Sequence, residues 1–211
     1  GIFPNSQEIN DWELFFKPYD NNLLLNFEAI IDSANYRQTD TVLMELANRL
    51  HPDERILYLE KLSAPQERLD AYKYVKAFLY CLELWDSDLN VHRKREEFLN
   101  QYIQSNYTIF LSSFYCPDCL DQFANYLPKS TIAKIIIQEA VKKPFASPYL
   151  ETYARLLELS KYLLSEEEFP TLVPVFLTRL ENRLKIDSVK PLEQNEADIS
   201  DAIVAFLYQL M

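Results

Sequence analysis

Glycine is almost absent from this chain, which has a single glycine among 211 residues. β-Hairpins and phosphate-binding loops depend on glycine, because it adopts positive φ freely and lets a ligand approach the backbone closely. The scarcity therefore disfavours strand-rich folds and folds that cradle a nucleotide. It also excludes a serine nucleophile in a GxSxG signature, which needs two glycines.

Cysteine and histidine are scarce as well, with three and two residues. The only compact pair is Cys116 and Cys119 in the sequence CPDC, whose spacing permits redox cycling or zinc chelation. A structural zinc site usually adds a second Cys or His pair, whereas Cys81, His51 and His92 stand alone. We therefore predict no catalytic residue, no cofactor and no metal. Cys116 and Cys119 are the remaining metal candidates, against the simpler interpretation of two thiols at the start of a helix.

Basic residues are outnumbered, with 21 Lys and Arg against 32 Asp and Glu and a formal net charge of −11. The excess is spread along the chain, with 18 acidic against 11 basic residues up to Ser105 and 14 against 10 after it. A phosphate backbone would be repelled, so we predict no nucleic-acid binding and expect a protein partner that is itself basic. The alternative is that the acidity only maintains solubility. The one basic run, HRKR at residues 92–95, is followed at once by two glutamates, which is typical of a solvated helix start.

The chain also lacks an apolar run of the ~20 mostly apolar residues that a bilayer-spanning helix needs. We expect no membrane association and a cytoplasmic location, with which so few cysteines agree. The chain begins at Gly1 without an initiator methionine, so a targeting segment could have been removed beforehand.

What the chain does contain is a rich apolar and aromatic set, at 48% and 14% of residues. The richest stretch is AYKYVKAFLYCLELW, from Ala71 to Trp85, whose apolar residues cover nearly the whole circumference of a helix. Lys73, Lys76 and Glu83 fall close to one line along it, which we interpret as its only route to water. The pattern predicts a central helix that is surrounded by others.

Apolar residues recur at helical spacing along most of the remaining chain. The predicted helices lie near residues 12–16, 23–34, 42–50, 56–62, 91–103, 120–127, 132–141, 149–164, 172–184 and 199–210. The run YTIFLSSFY from Tyr107 is interpreted as helical, because a single strand without a partner would leave its backbone unsatisfied. Asp86, Ser87 and Asp88 offer a choice of N-caps for the helix that follows the central one.

These patterns predict a single all-α domain over residues 1–211, built from antiparallel helical hairpins. Matches at offsets of about 78 residues suggest an internal duplication, residues 37–105 and 115–186, with hairpins of a size that resembles HEAT-like arrays. The alternative is an irregular multi-helix bundle around the buried central helix.

Because no catalytic motif is present, the expected function is binding. We interpret the chain as a non-catalytic adaptor or regulator that uses an acidic, aromatic-rich helical surface, with an inhibitor or immunity-type binder of a basic partner as a special case. The alternative is a helical enzyme or small-molecule-binding protein with an aromatic pocket between helices.

Overall fold

The computed structural model describes residues 9–65, 71–111 and 119–142. Over these ranges the chain is helical and has no strand, which confirms the predicted all-α class. The α-helices are α1 (Trp12–Phe16), α2 (Phe27–Ser33), α3 (Thr39–Arg49), α4 (Arg55–Ser63), α5 (Ala71–Leu84), α6 (Leu89–Ser105), α7 (Tyr107–Leu111), α8 (Cys119–Phe123) and α9 (Lys129–Lys142). Short 3₁₀ turns lie at Lys17–Tyr19, Tyr36–Gln38 and Pro52–Glu54. Among the described helices, none combines the length and apolar character needed to cross a bilayer.

The chain divides into two compact units, Gly1–Asn106 and Tyr107–Met211. The described part of the first unit contains α1 to α6, and that of the second contains α7 to α9. The single domain and the internal duplication stay predictions. Most of the second predicted copy, and every helix predicted after residue 142, lies outside the described residues.

Helix α5 is the centre of the first unit, and α3 and α4 pack along it, with α6 contacting it as well. Only Lys76, Glu83 and Leu84 are exposed among its described side chains. Its buried residues, together with the following tryptophan, are Lys73, Tyr74, Val75, Ala77, Phe78, Cys81, Leu82 and Trp85. The prediction of a buried central helix is therefore confirmed.

Tyr58 of α4 joins three neighbours in this core. Its ring is fully buried and lies edge-on between Phe27 of α2 and Trp85, with centroid distances of 6.0 and 6.1 Å. Its hydroxyl donates a hydrogen bond of 2.7 Å to the carbonyl of Leu43 in α3. Burial raises the pKa of the Tyr58 hydroxyl well above its ordinary value, so the group stays protonated and able to donate.

Helix α6 packs on α4 through one apolar face and leaves its other face in solvent. The buried face consists of Val91, Phe98, Leu99, Tyr102 and Ile103. At its end, the side-chain amide of Asn106 donates to the carbonyls of Ser63 and Tyr102, at 3.1 and 3.2 Å. This amide therefore fixes the end of α6 to the end of α4.

In the second unit, α7, α8 and α9 pack against one another. Phe110 of α7 meets Phe123 of α8 edge-on, with ring centroids 4.9 Å apart. The Lys129 ammonium lies 2.5 Å from Asp121, which pairs the start of α9 with α8. The helical interpretation of the run from Tyr107 is confirmed as far as Leu111, where the described range ends.

Two predicted helix starts differ from the observed ones. Residues 23–26 form turns, in which the Phe27 amide donates to the Leu24 carbonyl at 3.3 Å, and α2 begins only at Phe27. The helix predicted near residues 132–141 is α9, which begins already at Lys129, and the Pro128 carbonyl accepts from the amides of Thr131 and Ile132 at 2.9 and 3.1 Å. Both boundaries are set by hydrogen bonds between backbone groups, which the spacing of apolar residues does not report.

Candidate interaction surface

The cysteines do not form a metal centre within the described residues. Cys119 is buried and disulfide-bonded, so the expectation of a thiol there is wrong, whereas the metal candidacy of Cys116 and Cys119 stays a prediction. Cys116 lies outside the described residues. Cys81 is free and fully buried in α5, and burial raises the pKa of its thiol, which keeps it inert. Across the described ranges, no group of three His, Cys, Asp or Glu side chains is placed to hold a metal ion.

His51 lies between the end of α3 and the 3₁₀ turn Pro52–Glu54. It precedes the 3₁₀ turn Pro52–Glu54, and its amide donates to the Glu54 carboxylate at 2.9 Å. Its imidazole Nδ1 lies 3.5 Å from Asp53, and both side chains are exposed. The residue therefore caps a turn at the surface.

The basic run 92–95 lies in the first turns of α6, as predicted for a solvated helix start. His92, Arg93 and Lys94 are exposed, and Arg95 is half-buried. Asp86 pairs with two residues of this run, since its Oδ1 lies 2.6 Å from Arg95 Nη1 and 3.5 Å from His92 Nδ1. Part of the run is therefore neutralised within the chain.

Lys73 of α5 is buried, in contrast to the prediction. Its side chain was predicted to face solvent with Lys76 and Glu83, but Lys73 is only 3% exposed. Its ammonium donates to the carbonyl of Tyr36 and lies 4.0 Å from the centroid of the Tyr36 ring. A long side chain can thus bury its stem and find an acceptor from a helix position that periodicity assigns to the surface.

The connection between α5 and α6 is fixed by Asp88 and Arg55. Asp88 caps α6 by accepting from the amides of Asn90 and Val91, and its other oxygen receives Arg55 Nη1 at 2.9 Å. The Arg55 guanidinium also lies 5.5 Å from the Trp85 ring. Burial by itself would raise the pKa of Asp88, but the hydrogen bonds from Arg55 and the two amides, with the charge of Arg55, outweigh it and lower that pKa. Asp88 was among the predicted caps, whereas its pairing with Arg55, 33 residues away, has no local sequence signal.

Charge is divided unevenly within the first unit. Residues 9–65 contain ten carboxylates against five Lys and Arg, whereas residues 71–106 contain five of each. Several exposed acids have no ion pair inside the described residues: Asp20, Asp32, Glu60, Glu83, Glu96 and Glu97. Among the described residues of this unit, the surplus of negative charge therefore lies on the segment that carries α1 to α4.

Exposed leucines lie on the same segment as this surplus of carboxylates. Leu25 is 80% exposed directly before α2, and the outward positions that follow it at helical spacing include Ala29 and Asp32. Leu14 of α1 is 67% exposed beside Glu13. Sequence reasoning missed these leucines because it expected apolar residues of a helical pattern to be buried. Apolar anchors next to carboxylates suit a protein partner that is basic and partly apolar.

Comparison with known proteins gives no relative from which a role could be transferred. No protein-family model matches the chain, and no curated protein or solved structure matches it. The function is therefore argued from the surface alone.

Proposed function

We propose that this chain is a non-catalytic adaptor or regulator that binds a basic protein through the acidic surface of residues 9–65. An inhibitor or immunity-type binder would be a special case of this role. The observation that carries the proposal is the surplus of carboxylates on this segment, part of which is exposed and has no ion pair to another described residue. Such a surface attracts a basic partner and accelerates its association at low ionic strength.

The aromatic residues of the first unit support binding at the outside in preference to a pocket inside. Phe16, Tyr58, Phe78 and Tyr102 are among the largest fully buried side chains, so their rings fill the core. The ring centroids of Phe78 and Tyr102 are 4.4 Å apart, which is close packing. Rings that pack in this way are not available to line a ligand site.

The test is affinity capture with two charge variants that change the net charge equally. The first combines Asp20→Asn, Asp32→Asn and Glu60→Gln on the acidic segment, and the second combines Glu83→Gln, Glu96→Gln and Glu97→Gln on α5 and α6. Captured proteins are identified by mass spectrometry at about 0.15 M salt.

We expect the wild-type chain to capture a basic protein whose affinity falls about tenfold with the first variant and less than about twofold with the second. Raising the salt concentration should weaken capture by the wild-type chain. Recovery of no protein at physiological salt, or equal loss with both variants, would contradict the proposal.

A further inference from the structure

The first described residues form a segment that folds mainly on itself. Residues 9–19, which we call the strap, comprise an extended start, α1 and the 3₁₀ turn Lys17–Tyr19. Its rings pack in sequence, with centroid distances of 6.0 Å from Trp12 to Phe15 and 5.0 Å from Phe15 to Phe16. Helix α1 makes its main packing contact with the 3₁₀ turn that follows it. Beyond these local contacts, the burial of Phe16, a hydrogen bond of 3.4 Å from the Tyr19 hydroxyl to Ser33 of α2 and two polar contacts around α3 attach the strap to the rest of the unit.

The first of the two polar contacts is made by Gln38, the residue directly before α3. Its Oε1 accepts a hydrogen bond from the amide of Ile9 at 2.8 Å, and its Nε2 donates to the Ile9 carbonyl at 3.3 Å. Both backbone groups of Ile9 are thus satisfied by one side-chain amide from 29 residues away. This contact recognises the backbone amide and carbonyl of Ile9 and requires no particular side chain there.

The second contact is made by Arg49 in the last turn of α3. Its Nη2 lies 2.7 Å from Glu13 Oε1, and its guanidinium lies 4.8 Å from the ring centroid of Phe16. The hydrogen bond from Arg49 is the main cause that lowers the pKa of Glu13. Phe16 is fully buried, whereas the Glu13 side chain is 84% exposed. The Glu13 end of the ion pair is therefore open to water, although the Arg49 side chain is only 20% exposed, and water at the Glu13 end weakens the pair.

We propose that the strap is detachable, and that the cleft marked by Gln38 and Arg49 accepts the same strap from a second copy of the chain. The cleft recognises three features at fixed spacing, namely the backbone amide and carbonyl of one residue, a carboxylate four residues later and a buried ring three residues after that. The strap of another copy presents these features unchanged, so the exchange keeps the contacts to Gln38 and Arg49. The turns at residues 20–26 supply the connection that would open. This inference does not depend on the proposed partner.

The first experiment measures hydrogen exchange of the full chain with Glu13→Arg, using Glu97→Arg on the exposed face of α6 as the charge-matched control. We expect strap amides to exchange about fivefold faster in the Glu13→Arg chain, while amides of α3 and α5 are unchanged. Unchanged strap exchange in the Glu13→Arg chain, or equal acceleration in α3 and α5, would overturn the detachable strap.

The second experiment adds a fluorescent peptide of residues 9–19 to both chains and measures binding by anisotropy. The peptide should bind the Glu13→Arg chain about fivefold more tightly than the wild-type chain, because the competing strap is weakened. The same peptide carrying Glu13→Arg should bind about fivefold less well than the unchanged one. Absence of binding, or equal binding of both peptides, would show that the cleft does not accept a strap from outside.

Discussion

Helices α5 and α6 follow each other in the chain and are of similar length, yet they face water differently. Helix α5 is buried on nearly every side, whereas α6 buries one apolar face and exposes the rest. Consecutive helices thus take different positions because their apolar residues are distributed differently, around the whole circumference in α5 and along one stripe in α6. The inner helix fixes the core, and the helices around it are free to carry charge.

The largest effect is expected from Phe78→Ala in α5. Phe78 is fully buried and its ring lies 4.4 Å from that of Tyr102, so truncation should leave a cavity between α5 and α6. The free energy of unfolding should fall by about 3–5 kcal/mol in chemical denaturation. Leu84→Ala, at a side chain that is 40% exposed, should cost less than about 1 kcal/mol. Equal losses of stability from the two substitutions would show that the buried and the exposed sides of α5 contribute equally.

Tyr58→Phe should have the next largest effect, because it removes one buried hydrogen bond and keeps the ring. The Leu43 carbonyl would lose the partner that donates at 2.7 Å, and we expect a loss of about 1.5 kcal/mol. Tyr80→Phe is the matched control, since its hydroxyl bonds to Asn48 at the surface, and should cost less than about 0.5 kcal/mol. Denaturation of both variants under one set of conditions gives the comparison, and a control as damaging as Tyr58→Phe would contradict the account.

Asp88→Asn tests the connection between α5 and α6. This substitution should lower the free energy of unfolding by about 1 kcal/mol near neutral pH. The pKa of Asp88 is lowered in the folded chain, so its contribution is complete above the ordinary aspartate value of about 3.9 and is lost as the pH falls through the folded value. The stability difference between wild type and Asp88→Asn should therefore shrink in acid. Denaturation at a series of pH values measures this, and a difference that grew in acid would refute the assigned role of Arg55.

The smallest effect is expected from Glu96→Ala on the exposed face of α6. The side chain has no ion pair within the described residues, so stability should change by less than about 0.5 kcal/mol. Comparing the thermal unfolding of this variant with that of Phe78→Ala contrasts the outer helix α6 with the inner helix α5. A loss above about 1 kcal/mol would mean that the outer face of α6 is packed.

Sequence reasoning succeeded where one helix carries its own signal. An apolar circumference leaves α5 no stable position except the centre, and an apolar stripe orients α6 with Val91 and Tyr102 inward. Asp88 could be expected at the N-cap because its short side chain reaches the amides of the first turn.

It failed where the outcome depends on side chains from elsewhere in the chain. Lys73 is buried because a carbonyl and a ring at Tyr36 receive its ammonium, 37 residues earlier. Gln38 meets Ile9, and Arg49 meets Glu13, across 29 and 36 residues. No spacing rule connects such pairs. The acidic surface could be foreseen from net charge only as an excess, whereas burial and pairing show which of its carboxylates are exposed and have no ion pair within the described residues.

Hydrogen exchange of the backbone amides of α5 tests the central claim most directly. A helix enclosed by α3, α4 and α6 opens only when the whole unit unfolds, so its amides should be the slowest in the first unit and should share one opening free energy. Exchange of α5 amides at the rate of those in α1, or faster than those of the half-exposed α6, would contradict the account.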